Sequence, residues 1–301
     1  MDEWLSASPV GRELMRVAGE MSARRAMERL ASDLSVEAEI TKPPVNLLRA
    51  GSFQNVRRIE AVAMAQSGRL IPDGDGFLIQ VNAADRLTRQ RFSIGHEIGH
   101  TLIPSYRANP HRITETAIGR FSHCRGDEVE TLCDIAAAEL LLPMRLFGPL
   151  AAEAGCSLGV VDELAEQFQA SLIATTRRLV ETQLWRCALV VWRPSGSTSE
   201  RLCVRYAVHS CTFGHIFRPA AVLAPGGGCL VQCWTTGRRV GGYEQIVLEG
   251  HSHEFFVQAA RADYGDDRGA HREIISLIFP LDDHQAGWPG APTVWSAADR
   301  S

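Results

Sequence analysis

The segment Phe92-Ser93-Ile94-Gly95-His96-Glu97-Ile98-Gly99-His100-Thr101-Leu102 sets two histidines four residues apart, with a glutamate directly after the first. On a helix, positions i and i+4 share a face. Both imidazoles can therefore reach one metal ion, the H-E-x-x-H arrangement. Zinc held this way lowers the pKa of a water toward neutrality. Glu97 is then placed to take the proton as that water attacks a carbonyl, without being a ligand itself. A four-position pattern arises by chance in roughly 2% of chains of this length, so its context has to carry weight. Phe92, Ile94, Ile98 and Leu102 give the segment an apolar stripe. The bland alternative is a helix that happens to carry two histidines.

A catalytic zinc needs a third protein ligand and an open fourth position. Glu130, at the start of Glu130-Thr131-Leu132-Cys133-Asp134, is the candidate. Asp134 follows one turn later. There it could bond the outer nitrogen of a liganding imidazole and fix its tautomer. The competing reading is that Glu128, Glu130 and Asp134 are helix-surface carboxylates near a helix N-terminus, where anions are favoured.

These residues need elements to hold them. Residues 88–103 read as a helix with Thr88 as N-cap and Pro104 after its end. Residues 127–142 read as another, capped by Asp127 and stopped by Pro143. Ahead of them, Phe77 to Asn82 reads as a strand after the Asp73-Gly74-Asp75-Gly76 turn, and a hairpin with residues 57–70 fits. Residues 9–39 read as helical up to Lys42-Pro43-Pro44. Ser157 and Ser171 can each cap a short helix within 157–183, giving a helix-turn-helix shape. From Trp185 the texture changes to strands, Cys187–Trp192 and Leu202–Val208, with weaker strand candidates at Leu230–Trp234 and Glu244–Leu248. Glu254–Ala260 reads as helix or strand, and Glu273–Pro280 as a strand or short helix.

The chain has 301 residues, 45% apolar and 22% charged, with a formal net charge of −4. That is a globular composition with no basic excess to drive nonspecific nucleic-acid binding. No apolar run approaches the ~18 residues that span a bilayer. The start, Met1-Asp2-Glu3-Trp4-Leu5, lacks the pattern of a secretory signal. Eight cysteines without a C-x-x-C pair read as reduced thiols. Together these give an expectation of a cytoplasmic protein with no membrane segment.

Two separated motifs carry a resemblance. Arg89-Gln90-Arg91-Phe92 running into His96-Glu97-x-x-His100 is similar to the first motif of the ImmA/IrrE family of metallopeptidases. Glu130-x-x-x-Asp134, a stretch of small residues and Leu141-Leu142-Pro143 are similar to its second. The resemblance spans roughly residues 40–150. It implies zinc ligation by His96, His100 and Glu130 and Glu97 as general base; ligand type by itself leaves manganese as the alternative ion. It also implies that Phe77–Asn82 is an edge strand onto which an extended substrate adds, which makes Leu78, Gln80 and Asn82 substrate-binding candidates.

The expected fold is α+β: a zincin-like metallopeptidase domain over 1–150, a helix-turn-helix-like segment over 151–184 and a GAF-like α/β domain over 185–301. The expected function is site-specific, zinc-dependent cleavage of a regulatory protein. The resemblance implies an XRE-type helix-turn-helix repressor as partner, released to derepress a stress-response or mobile-element regulon. The alternative is a DNA-binding regulator in which the zincin part is a scaffold or metal sensor. Tyr106, His111 and His123 are weaker candidates for a second electrophile. They read as loop residues, and Arg86, Arg89 and Arg91 invite the same caution. His251, His253, Cys229 and Cys233 read as structural.

Overall fold

Gly19 and Ser22 cut the N-terminal helical pattern in two in the computed structural model, which describes residues 3–107, 128–195, 202–219, 227–248, 250–266 and 269–281. After α1 (Glu3–Ala7) come α2 (Pro9–Ala18) and α3 (Ala23–Glu37). Gly19 closes α2 in the left-handed region, at φ 69°, where glycine carries no Cβ penalty. The Ser22 hydroxyl accepts the Arg25 N–H and opens α3. A single helix over 9–39 is thus corrected: the apolar period runs through both helices, and the caps between them decide. In α4 (Leu47–Ser52), Asn46 plays the same capping part, accepting from Arg49 N–H at 3.0 Å.

The described residues divide into two units, one within Met1–Phe147 and Glu166–Ser171, the other within Gly148–Ala165 and Leu172–Ser301. In the first, β1 (Val56–Val62), β2 (Gly68–Asp73) and β3 (Gly76–Asn82) form a sheet in the order β1-β3-β2. The turn at Gly74 joins β2 and β3 as an antiparallel hairpin, and β1 pairs parallel with β3. The stretch 57–70 therefore supplies two strands, on opposite sides of β3.

That order overturns the edge-strand expectation. β3 is paired along both sides, so no backbone donors or acceptors remain on it for an added chain. Leu78 is buried in the core and Asn82 is buried, its side chain accepting from Ala84 N–H at 3.0 Å. Gln80 ties the sheet together, accepting from Arg69 at 2.6 and 2.9 Å and donating to Glu60 at 3.2 Å. Leu78, Gln80 and Asn82 are sheet residues here, and the edges are β1 and β2. Pro72 on β2 accords with an edge position, since proline cannot serve a central ladder.

Next come α5 (Leu87–Leu102), α6 (Pro104–Arg107), α7 (Glu128–Leu141) and α8 (Met144–Ala154). Arg86, not Thr88, stands at the start of α5, with no side-chain cap. Asp127, the expected cap of α7, lies outside the described residues. α5 lies against β2 and β3 and packs on α7, which also packs on α3. Arg145 fastens the C-terminal end of α3, donating to the Ser35 hydroxyl at 2.9 Å and to the Ser35 carbonyl at 3.1 Å.

After α8, α9 (Leu158–Phe168) begins at Ser157, whose hydroxyl accepts the Val160 N–H at 3.2 Å, and α10 (Leu172–Glu181) follows. Then come β4 (Ala188–Pro194), β5 (Leu202–His209), α11 (Cys229–Thr236), β6 (Val240–Leu248), β7 (His251–Asp266) and β8 (Gly269–Pro280). The strands form an antiparallel sheet in the order β5-β4-β8-β7-β6. One face buries Trp192, Phe213, Phe217, Phe255 and Leu230 together. Trp192 Nε1 meets its need for a partner by donating to Ser276 Oγ at 2.7 Å. The strand expected at Leu230–Trp234 is corrected to α11. Its first N–H, at Cys229, donates to the buried Glu244 carboxylate at 2.7 Å, and Gly237 closes it at φ 69°. The expectation failed because an apolar run of that length fits either element.

Candidate metal centre

α5 carries His96 and His100 one turn apart, their ring centroids 5.1 Å from each other. α7 supplies the acids. His96 Nδ1 bonds Asp134 Oδ1 at 2.8 Å, and His96 Nε2 bonds Glu130 Oε2 at 3.0 Å. The other Glu130 oxygen lies 3.7 Å from His100 Nε2. Glu130 thus bridges the inward nitrogens of both rings, while Asp134 holds the outer nitrogen of one. Glu97 is buried in the same helix, and its Oε2 has no hydrogen-bond partner among the described residues.

Close packing makes this convergence possible. A Cβ at Gly99 would sit 3.0 Å from Cys133 Cα and 3.0 Å from Ala136 Cβ, and one at Gly95 would sit 3.2 Å from Ala137 Cα. The two glycines therefore let the α7 backbone approach α5. Gly99→Ala tests this. Helix propensity favours alanine by up to about 1 kcal/mol, but overpacking against backbone costs about 1–3 kcal/mol. The expected result is a lower melting temperature together with weaker metal uptake. A variant as stable and as metal-avid as the parent would contradict the account.

The charges follow from burial and neighbours. Burial pulls the His96 imidazole down, but its hydrogen bonds to Asp134 and Glu130 and the field of Glu97 outweigh that and raise it to about 10. Burial and the charge on His96 push His100 down to about 4, so its ring is neutral at pH 7. Burial resists ionisation of Glu130, yet the His96 bond and the nearby imidazoles win and hold it below the usual carboxylate range. Burial lifts Glu97 to about 7, against the opposing pull of His96 and of the Leu70 N–H.

These directions give a pH prediction. The raised His96 value means that its ion pairs stabilise the metal-free fold fully below about pH 6.5, and that this support is lost as pH climbs through about 10. A metal ion needs His96 neutral at Nε2, so binding at pH 7 should release a proton and strengthen as pH rises. Calorimetric titration in two buffers of different ionisation enthalpy checks this, and equal heats in both would count against it.

The donor set fits a divalent cation: two imidazoles and a carboxylate converge, and a buried carboxylate oxygen beside them lacks a partner among the described residues. Leaving such an oxygen unsatisfied costs about 1–3 kcal/mol, which points to a use for it. One further group was missed in the sequence. Among the described residues, His96, His100 and Cys133 offer ligand atoms all within 4.8 Å of one another. Cys133 reads as core, being wholly buried, yet it lies one turn from Glu130 on the same helix face. Gly68 was missed as well. A Cβ there would lie 3.0 Å from Glu97 Oε1, so the β2 edge passes directly against this carboxylate.

The weaker candidates have other places. Arg91 donates to the Val45 carbonyl at 2.9 Å, and Arg89 lies over the Phe92 ring. Tyr106 is in α6, and His111 and His123 lie outside the described residues. His251 and His253 are on β7, Cys229 and Cys233 on α11, and they form no such group with one another among the described residues.

Residues 55–180 match the family model described as the IrrE N-terminal-like domain, Peptidase_M78. The radiation response metalloprotease IrrE of Deinococcus radiodurans is 28% identical over 109 residues, covering 36% of this chain and 32% of that protein. That of Deinococcus deserti is 30% identical over 110 residues, covering 36% and 38%. The chain thus matches about a third of the length of these relatives. A solved Mycobacterium tuberculosis transcriptional regulator is similar in fold, with a TM-score of 0.59 and 14% identity over 92% of this chain and 81% of that one. The family model, the two relatives and the paired motifs on α5 and α7 agree on one assignment: residues 55–180 are similar to the IrrE N-terminal-like domain of the ImmA/IrrE metallopeptidases.

Proposed function

We propose that the chain is a site-specific, zinc-dependent endopeptidase acting on a regulatory protein. The observation that carries the reading is the buried Glu97 carboxylate, with one oxygen unpartnered among the described residues, beside two imidazoles and a bridging glutamate. His96, His100 and Glu130 would hold the cation, which supplies Lewis acidity when bound. Asp134 fixes the His96 tautomer by accepting from Nδ1, leaving Nε2 for the ion. Glu97 takes a proton from the attacking water and returns it to the leaving amine. A value lifted to about 7 suits both roles near neutral pH. The β2 edge beside Glu97 takes over the substrate-pairing role first expected of β3.

An XRE-type repressor is the proposed substrate, and the cytoplasm the proposed compartment. Among the described residues, no single helix is long and apolar enough to cross a membrane. The helix-turn-helix-like pair α9–α10 and a GAF-like effector role for the β4–β8 sheet belong to the same proposal.

The second reading is a DNA-binding regulator, in line with the fold neighbour, which is a transcriptional regulator. Against it, Arg177 and Arg178 on α10 both pair with Glu181, which blunts the basic face a recognition helix would offer. The deciding experiment incubates the protein, with and without chelator, with the XRE-type repressors of its host. Mass spectrometry should find one defined, chelator-sensitive cut. A salt-dependent DNA shift with no cut would favour the second reading.

A further inference from the structure

We propose that Cys156 and Cys187 are a redox modification site, closing into an intramolecular disulfide when the protein meets a peroxide. The site is independent of the metal reading. The two cysteines stand 31 residues apart in the chain, yet Cys156 Sγ lies 4.0 Å from Cys187 Sγ. Both belong to the unit within Gly148–Ala165 and Leu172–Ser301, and both are free thiols in the structure. They are 1% and 0% exposed, so the pair is shielded from bulky thiols and disulfides, and a molecule as small as hydrogen peroxide is the fitting oxidant. The fold holds one partner and leaves slack at the other. Cys187 lies just ahead of β4, its N–H donating to the Ser210 hydroxyl at 3.2 Å and its carbonyl accepting the Ser210 N–H at 3.0 Å. Cys156 stands in the short turn between α8 and α9, directly after Gly155, whose φ of 93° is a conformation that glycine adopts freely. A disulfide needs its sulfurs about 2.05 Å apart, so the remaining approach of about 2 Å falls to Cys156 and its turn.

The chemistry takes two steps. One thiolate attacks a peroxide oxygen: the S–O bond forms, the O–O bond breaks, and the departing hydroxide takes up a proton as water. The second sulfur then displaces the oxygen of the sulfenic acid, which leaves as a second water while the S–S bond forms. In sum two thiols are oxidised to one disulfide and hydrogen peroxide is reduced to two waters, both thiol protons ending on those waters. Burial and the neighbouring Cys187 sulfur push the Cys156 thiol up, so its thiolate is scarce and the first step is slow near neutral pH. In a reducing compartment a bond of this kind is transient and reports redox state. Here it ties together the two ends of the segment that carries α9 and α10.

The test treats the full chain with hydrogen peroxide, blocks the remaining thiols with N-ethylmaleimide in denaturant, digests with trypsin without reductant and reads the peptides by mass spectrometry. Cys156 falls in the peptide 146–177 and Cys187 in 187–201, because the Arg193–Pro194 bond resists trypsin. The expected result is one species joining these two peptides, two hydrogens lighter than their sum, in monomeric protein and removed by dithiothreitol. Maleimide should be lost from Cys156 and Cys187 together. In Cys156→Ser and Cys187→Ser the joined species should vanish and the remaining partner should keep its maleimide. Both cysteines still carrying maleimide after the exposed Cys211 has been oxidised would overturn the proposal and leave the sulfur contact as packing alone. Either cysteine joined to a different one, or the bridge found only in covalent dimers, would overturn it too. The parent digest decides even if a variant fails to fold.

Discussion

Glu97→Gln is expected to retain the metal ion and lose about 10²–10⁴-fold in cleavage rate, the span a positioned general base contributes. Glu97 is 5% exposed, with one carboxylate oxygen against the β2 backbone and the other without a partner among the described residues. Glutamine is nearly isosteric, so the packing of α5 on β2 survives. The amide still accepts from the Leu70 N–H, but it cannot take a proton from water. The metal-holding atoms sit on His96, His100 and α7, so uptake is unaffected to first order. Stability should be level or slightly higher, because burial already disfavours the Glu97 charge above its ordinary range. The measurement pairs metal content with the chelator-sensitive cut of the repressor. A variant that binds metal and still cuts at the parental rate would remove Glu97 from the chemistry. One that neither binds nor folds would show that the carboxylate serves the structure.

Much of this centre could be read from periodicity alone. Two helix turns, His96 to His100 and Glu130 to Asp134, place four functional groups on two faces, and only the pairing of α5 with α7 had to be supplied. What the spacing did not announce was the contact that makes the pairing tight. Gly95 and Gly99 look like helix-weakening residues until α7 is seen against them. Cys133 looks like one more buried apolar residue, although its position one turn from Glu130 was a usable signal.

The misplaced edge strand has a plain cause. Phe77-Leu78-Ile79 and Val81 form a nearly continuous apolar run, buried along almost its whole length. That is the signature of a strand covered on both faces rather than one at an edge. β1 and β2, with their mixed burial, are the edges it implies. The helix α11 was hidden for a related reason. Its apolar run is uninformative by itself, and the group that satisfies its first N–H, Glu244, comes from a strand 15 residues away. Long-range satisfaction of a helix terminus leaves no local trace. The capping at Ser22, Asn46 and Ser157 does, because donor and acceptor lie three residues apart.

His100→Ala should abolish metal binding while leaving the metal-free fold assembled, and the two effects separate cleanly. In the metal-free protein the charged interactions of the centre run through His96, which bonds Asp134 and Glu130. His100 is neutral at pH 7, its value driven down to about 4 by burial and by the charge on His96, so its removal strands no buried cation. The loss is packing volume, a cost of about 2–5 kcal/mol on the scale of buried large-to-small changes. The metal, by contrast, loses one of the two nitrogen donors that its position depends on. Saturating zinc should therefore stabilise the parent by about 2.7 kcal/mol at a hundredfold excess over Kd. At about 2–4 °C per kcal/mol for a unit of this size, that is a rise of roughly 5–10 °C. The variant should show a lower starting temperature and no rise. His96→Ala differs in a way that tests the assignment of charge: it deletes the ring that pairs with both acids, so Glu130 and Asp134 are left facing each other without it, and the metal-free protein should suffer more than in His100→Ala. If the two variants melted alike without metal, or if His100→Ala still gained the full zinc-dependent rise, the division of labour between the imidazoles would be wrong.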